Sequence, residues 1–372
     1  MKLSGLNRRE FLAVSFVAAS APSLLMAGKN RYKRVLIDTC NQFPLANVRV
    51  RLLNLETRQL HRFKTDPQGA WEIEPFIDSV KNPEGELFET TIGSQMIEGI
   101  TYAGLKTRMI LYPKGINKQA NRMAGQYSLV PLDHPGIGLG IDDEELSAAW
   151  PALLEQVLFV REPAPFNRPE GLARGALYGF AFHNIALVMA DDLSPAEQEF
   201  VSLTASDAVK ELCAGTRRFA DIQVVTPDSI PAFSKDFRSG TFYVNKNDTY
   251  PFPSTFLKHD DAQPQFINAA KITLDNLTLT NLYRHGNSEP KEQEMARHLI
   301  SRALAHALGY RPTLALRNRT LMDSNFMPTS GIERSGITPV DTLLARVLYG
   351  SGWLKPGSRF SEDGRVLRNF VV

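Results

Sequence analysis

The sequence predicts two domains, an all-β sandwich followed by an α+β domain, on three observations. Apolar and polar residues alternate with period two between short turns from residue 31 to 132, a proline-rich break follows, and the remainder mixes strand-like runs with two long helical patterns. At 372 residues, 43% hydrophobic and 22% charged, the chain has material for two cores and the composition of an ordinary globular protein. A formal net charge of +2 gives no sign of a nucleic-acid partner. With only Cys40 and Cys213 present, a disulfide framework and a cysteine metal cluster are both excluded.

Residues 1–29 read as an export signal. Arg8 and Arg9 precede Phe11-Leu12, and a mildly apolar run of small residues extends from Ala13 to Met26, the layout of a twin-arginine signal. That run is shorter than the ~20 residues that span a bilayer and is broken by Pro22, so it is expected to be removed rather than to anchor the chain. The expected location is the bacterial periplasm or beyond.

Within 31–132, Val48, Val50 and Leu52 alternate with Arg49 and Arg51, which is the pattern of a half-buried strand. Asp66-Pro67-Gln68-Gly69 supplies a turn between two strands. Further strands are expected at "LFETTIGS", "GITYAGLKTRMILYP" and "GQYSLVPL". The order "PLANVRVRLLN…FKTDPQGAWEI" resembles a transthyretin-like, carboxypeptidase-regulatory sandwich. That resemblance implies an accessory module, either a platform for sugar or protein or a spacer.

Residues 133–171 form a helix and linker. "DDEELSAAWPALLEQV" places acids ahead of an apolar helical segment, as the helix dipole favours, and "REPAPFNRPEG" follows with three prolines. The second domain, 172–356, opens on the apolar run "GALYGFAFHNIALVMAD", read as one or two buried strands. Ser194-Pro195-Ala196-Glu197 then gives a helix start with a cap, a first-turn proline and a capping-box acid. "FADIQVVT", "GTFYVNK" and "NAAKITLDN" read as strands, a second long helix follows, and residues 357–372 read as a tail.

The second helix and its sequel carry the functional question. In zinc peptidases of the HExxH class, two histidines four apart on one helix hold the metal, and the Glu between them polarises the attacking water. "RALAHALGYRP" resembles the longer HExxHxxGxxH pattern of the metzincins, with His306 as the second histidine and Gly309 as the glycine at which the helix breaks. "RTLMDS" resembles their methionine turn, with Met322 as its methionine, and "ITPVDTLLARVLYG" resembles the closing helix of matrix-type metallopeptidases. The continuation "LKPG" also resembles an uncharacterised group of exported bacterial domains with a zincin-like C-terminus and no HExxH.

The resemblance implies a zincin-like α+β domain, and the departures from it fall on the chemistry. The first histidine position is Arg302, the base position is Ala303 and the third-ligand position is Pro312. Arginine has no lone pair to donate, alanine cannot activate water and proline has no ligating group. His298 lies roughly 12 Å from His306 along the helix axis, too far to share one metal. His183, His259, His285 and Asp323 could join His306 only through tertiary contacts. The reading is therefore a pseudo-metallopeptidase with no catalytic residue and no metal, with zinc at His306 as the alternative cofactor.

Arg302 beside His306 favours an anion such as a peptide carboxylate, unless both lie on a solvated helix face or His306 is a core histidine. The expected partner is a protein or peptide of the cell envelope. A metallopeptidase with a rearranged site and a structural envelope component are the alternatives. "GIGLG" at 136–140 lacks the dinucleotide fingerprint and reads as a loop, and "RNRT" at 317–320 reads as a solvated basic turn.

Overall fold

The computed structural model describes residues 32–116, 121, 126–137, 141, 144–159, 177–182, 184–214, 216, 222–225, 239–247, 253–263, 265–275, 279, 290–316, 319–324, 336–350, 359–360 and 365–367. The expected signal at 1–29, the proline-rich stretch 161–171 and most of the expected tail lie outside them. The architecture is mixed and β-rich, with several sheets and a few helices. Contacts divide the chain into two compact units that meet in sequence at Trp150 and Pro151.

The first unit contains β1 (Lys33–Asp38), β2 (Arg49–Asn54), β3 (Leu60–Lys64), β4 (Ala70–Glu72), the short helix α1 (Glu74–Ile77) and β5 (Glu86–Ile92). It continues with β6 (Gln95–Ile97), β7 (Ile100–Tyr102), β8 (Gly104–Leu111) and β9 (Gln126–Leu129). One sheet has the order β4-β1-β9, and a larger one runs β8-β5-β2-β3 through antiparallel pairs. The predicted alternation holds in β2, where Val50, Leu52 and Asn54 are buried and Arg49 and Arg51 are exposed.

The predicted turn at Asp66 is built by its own side chain, whose Oδ1 accepts from Gln68 N at 2.9 Å and Ala70 N at 2.7 Å. Gly69 sits at φ 71°, and a Cβ there would lie 2.5 Å from the Leu36 carbonyl oxygen, so only glycine fits. Arg365–Leu367, in the stretch expected as a tail, forms a strand parallel to β8. A run of three residues carries too short a pattern to announce a strand.

The predicted linker helix exists as α2 (Glu144–Leu153), continued by a π-helical turn Leu154–Leu158. The second unit then contains β10 (Gly179–Phe180), β11 (Ile185–Met189), α3 (Pro195–Leu212), β12 (Ile222–Val225) and β13 (Thr241–Asn247). After these come β14 (Ser254–His259), β15 (Phe266–Asp275), α4 (Pro290–Ala307) and α5 (Pro339–Tyr349). Its sheet has the order β12-β11-β13-β15-β14, parallel throughout except for β14, which is antiparallel at the edge. β10 pairs with the start of β15.

A parallel strand covered on both faces reads as a continuous apolar run, which is why "IALVM" is β11 and why Leu187, Val188, Phe242, Val244, Ile272 and Leu274 are buried. The Ser194 capping box opens α3 as predicted, with Ser194 N donating to Glu197 Oε2 at 2.7 Å. β14 escapes the sequence reading because its two apolar residues, Phe256 and Leu257, are adjacent rather than alternating, and Phe256 lies exposed on an edge strand. α4 packs on β14, β15 and α3, and begins at Pro290, well before the segment that carries the motif resemblance. Among the described residues, no helix is long and apolar enough to cross a membrane.

Candidate functional site

The C-terminal half of α4 is apolar on one side, with Ile300, Leu304, Ala305 and Ala307 buried. His298, Arg302 and His306 follow one another at four-residue spacing, one helical turn apart. None of the three is a fully exposed surface group. His298 is 4% exposed, and Arg302 and His306 are partly buried.

The helix stops at Gly309, whose φ of 106° places it where glycine is favoured. A Cβ there would lie 3.1 Å from the Tyr178 carbonyl oxygen, a tight approach that adds to the preference for glycine. The reversed chain brings Arg311 back along the helix. Its guanidinium lies over the Tyr178 ring, 4.8 Å from the centroid, and its Nη1 is 2.8 Å from His306 Nε2. Arginine can only donate, so His306 Nε2 accepts and the imidazole proton resides on Nδ1.

Burial first, then the charges of Arg311 and Arg302, push the His306 pKa down to about 3. Burial and Arg302 push His298 down to about 4, with the Asp323 carboxylate opposing. Both imidazoles are neutral at physiological pH.

Arg302 reaches the other wall of the site. Its Nη1 donates to the backbone carbonyl of Asp323, so this side chain ties α4 to the "RTLMDS" turn. That turn is fixed from three sides. Thr313 N donates to Met322 O at 2.8 Å, Ser324 N donates to Thr313 O at 2.7 Å, and Leu321 N reaches the Asp341 carboxylate at 3.0 Å. Met322, within that turn, is 1% exposed.

Asp341, in the first turn of α5, is fully buried and also accepts from Thr320 Oγ1 at 2.6 Å and Thr338 N at 2.8 Å. Burial pushes its pKa up, and the hydrogen bonds from Thr320, Thr338 and Leu321 work against that rise. Ala303 is buried, and its carbonyl accepts from Thr255 Oγ1 of β14 at 3.3 Å. Pro312 is exposed.

The structure thus joins Arg302, one helical turn from His306, to the turn that contains Met322, and adds Arg311 and Tyr178, which sequence reasoning missed. The signal for Arg311 was present: a cation two residues past a helix-breaking glycine returns to the last helical turn. Tyr178 carries no such signal, since it arrives from the start of β10. His259 meets the Tyr178 ring edge-on at 5.4 Å, and His183 and His285 lie outside the described residues.

Zinc does not fit this donor set. The Nε2 lone pair of His306 is engaged by a guanidinium, Arg302 offers only donors, and both arginines would repel a divalent cation. Among the described residues no group of three or more His, Cys, Asp or Glu converges. Cys40 and Cys213 are buried thiols outside any disulfide. What the site offers is excess positive charge: two arginines, two neutral histidines and the Asp323 carboxylate.

The sequence matches no family model and no curated protein. Six chains of solved structures match it. One is a chain of the GM1-bound form of the ECX AB5 holotoxin, with 13% identity over 48% of this chain and 88% of that one, at a TM-score of 0.29. A likeness of that size carries no argument about fold or function.

Proposed function

We propose that the second unit is a zincin-like domain whose metal site has been replaced by an arginine-centred network, and that the protein is an exported, non-catalytic binding module of the bacterial envelope. The observation that carries this reading is the pair of arginine bonds, Arg311 to His306 Nε2 and Arg302 to the Asp323 carbonyl. Arg302 and His306 stand where the resemblance puts the first two metal ligands, and Arg311, next to the third position Pro312, engages the His306 lone pair. Further support comes from Gly309 at the helix break, the buried Met322 turn and the Thr338-Asp341 capping box of the closing helix.

The ligand class is an anionic group on a protein or peptide, with a peptide carboxylate as the proposed ligand. Arg302 spends one guanidinium N–H on Asp323, so donors remain for an incoming anion, and partial desolvation strengthens them. β14 is an antiparallel edge strand against the same helix, and such an edge can pair with an extended peptide.

Titration calorimetry with peptides carrying free or amidated C-termini tests the reading. Arg302→Ala should weaken the free-carboxylate peptide by about 1.5–3 kcal/mol. Equal affinity for both peptides, or stoichiometric zinc in protein purified without chelator that is lost with proteolysis on His306→Ala, would sink it.

Export is proposed from Arg8 and Arg9. Changing both to lysine should leave full-length precursor in the cytoplasm, and undiminished export of the variant would remove the twin-arginine route.

A further inference from the structure

The outer face of the larger sheet in the first unit carries charges that its own fold does not use. Antiparallel register sets Arg49 opposite Lys64 and Arg51 opposite Arg62, and on the next strands Thr91 opposite Lys106 and Glu89 opposite Arg108. These side chains point outward, because Val50, Leu52, Phe88, Thr90 and Leu105 at the alternating positions are buried. Lys106 and Arg108 share Glu89 at 3.0 and 3.1 Å. Arg49, Arg51, Arg62 and Lys64 are exposed, and among the described residues none of the four has an ion pair. Like charges directly opposite one another destabilise an antiparallel pair, and one short hairpin holds two such oppositions.

The remainder of this face is aliphatic. Leu53, Leu87 and Ile110 are half-buried and Leu60 is 37% exposed, so cations and aliphatic side chains share one surface. Strand spacing of about 4.8 Å spreads the four strands over roughly 14 Å. A single nucleic-acid strand is held by a basic groove with aromatic platforms. These rows hold no aromatic residue, for His61 and Phe63 lie on the other face against Phe76 and Trp71. Cations beside aliphatic side chains on one plane match phosphate headgroups above acyl chains.

We propose that the β2–β3–β5–β8 face, through Arg49, Arg51, Arg62 and Lys64, docks the protein on an anionic phospholipid surface. This surface is independent of the α4 site and stands or falls separately from it.

Co-sedimentation of the full chain with phosphatidylcholine vesicles, with and without phosphatidylglycerol, tests the proposal. Binding should require phosphatidylglycerol and weaken as salt rises. Each cation near such a surface contributes roughly fivefold, so R49Q/R51Q/R62Q/K64Q should lose at least about a hundredfold in partitioning. The same variant should melt no lower than the parent, because it removes opposed like charges. Replacing the three arginines by lysine should preserve binding. Parent and variants share residues 1–29, so any contribution of that apolar run cancels.

Should the fourfold variant fold poorly, R51Q/R62Q provides the same comparison with about a twentyfold loss expected. Equal binding to both vesicle types, binding to neither, or undiminished binding by a folded variant overturns the proposal. Tight binding to heparin without binding to the phosphatidylglycerol vesicles overturns it in favour of a linear polyanion.

Discussion

Lowering the pH from 6.5 to 4.5 is expected to remove roughly 4 kcal/mol of stability, before carboxylate protonation contributes. His298 and His306 are bases whose folded pKa values, about 4 and about 3, lie below the ordinary histidine value near 6.5. Below pH 6.5 the unfolded chain therefore binds more protons than the native one. Stability from this pair is fully present above 6.5 and is lost as pH falls toward 4 and then 3.

Burial is the larger cause for both residues, and the neighbouring guanidiniums of Arg302 and Arg311 add to it. Glu86 and Glu197, whose pKa values are lowered, withdraw their contributions only below about 4.5, so the two effects separate on the pH axis. Guanidinium titrations at stepped pH should show the slope in the parent and a flattened one in H298L/H306Q. An unchanged slope in that variant, or NMR signals assigned to the His298 and His306 imidazoles titrating near pH 6.5, would show that the pair is not the source.

The second large effect is expected at Asp341. Asp341→Ala leaves Thr320 Oγ1, Leu321 N and Thr338 N without their shared acceptor in a fully buried position and opens a small void. Each orphaned buried donor costs about 1–3 kcal/mol, so the total should approach 4 kcal/mol after partial relaxation. Because the same carboxylate fixes Leu321 of the methionine-like turn and caps α5, the variant should also loosen the Asp323 carbonyl that Arg302 grips. Amide exchange at residues 320–324 should rise along with the loss in thermal stability. Asp341→Asn should be milder, since one oxygen survives, and a loss below about 1 kcal/mol for Asp341→Ala would falsify the role assigned here.

Much of this fold was legible because local chemistry and tertiary role agree. Ser194 and Thr338 each stand three residues before an acid with proline between, and both form capping boxes, Ser194 in the predicted way. Val50 and Leu52 alternate because β2 has one covered face, and Asp66 and Gly69 make a turn that their side chains, or lack of one, demand. Legibility failed where a residue's role comes from a distant partner. β14 lacks a period-two pattern because neither face of this edge strand is fully covered, and Arg365–Leu367 is a strand only because β8 is beside it.

In the site, Arg302, Ala303 and Pro312 mark where the chain departs from the metzincin pattern it resembles, whereas the choice between a solvated and an inward-facing helix margin was open from periodicity alone. His298 at 4% exposure and the Arg311 bond to His306 settle the direction of those side chains. The return of Arg311 depends on the turn geometry at Gly309, which a sequence pattern marks but does not trace.

The parallel pairing of Arg365–Leu367 with β8 sets an order of assembly on the ribosome. The partner strand is encoded after the whole second unit, so β8 emerges long before anything can cover its open side. During that interval the nascent chain displays a row of unpaired backbone donors and acceptors, the feature that recruits other chains edge to edge. Closing so long a loop in sequence is slow, and the first unit can finish folding only after synthesis has passed the second. A chain with this wiring is better suited to holdase protection and late completion than to folding segment by segment as it is made.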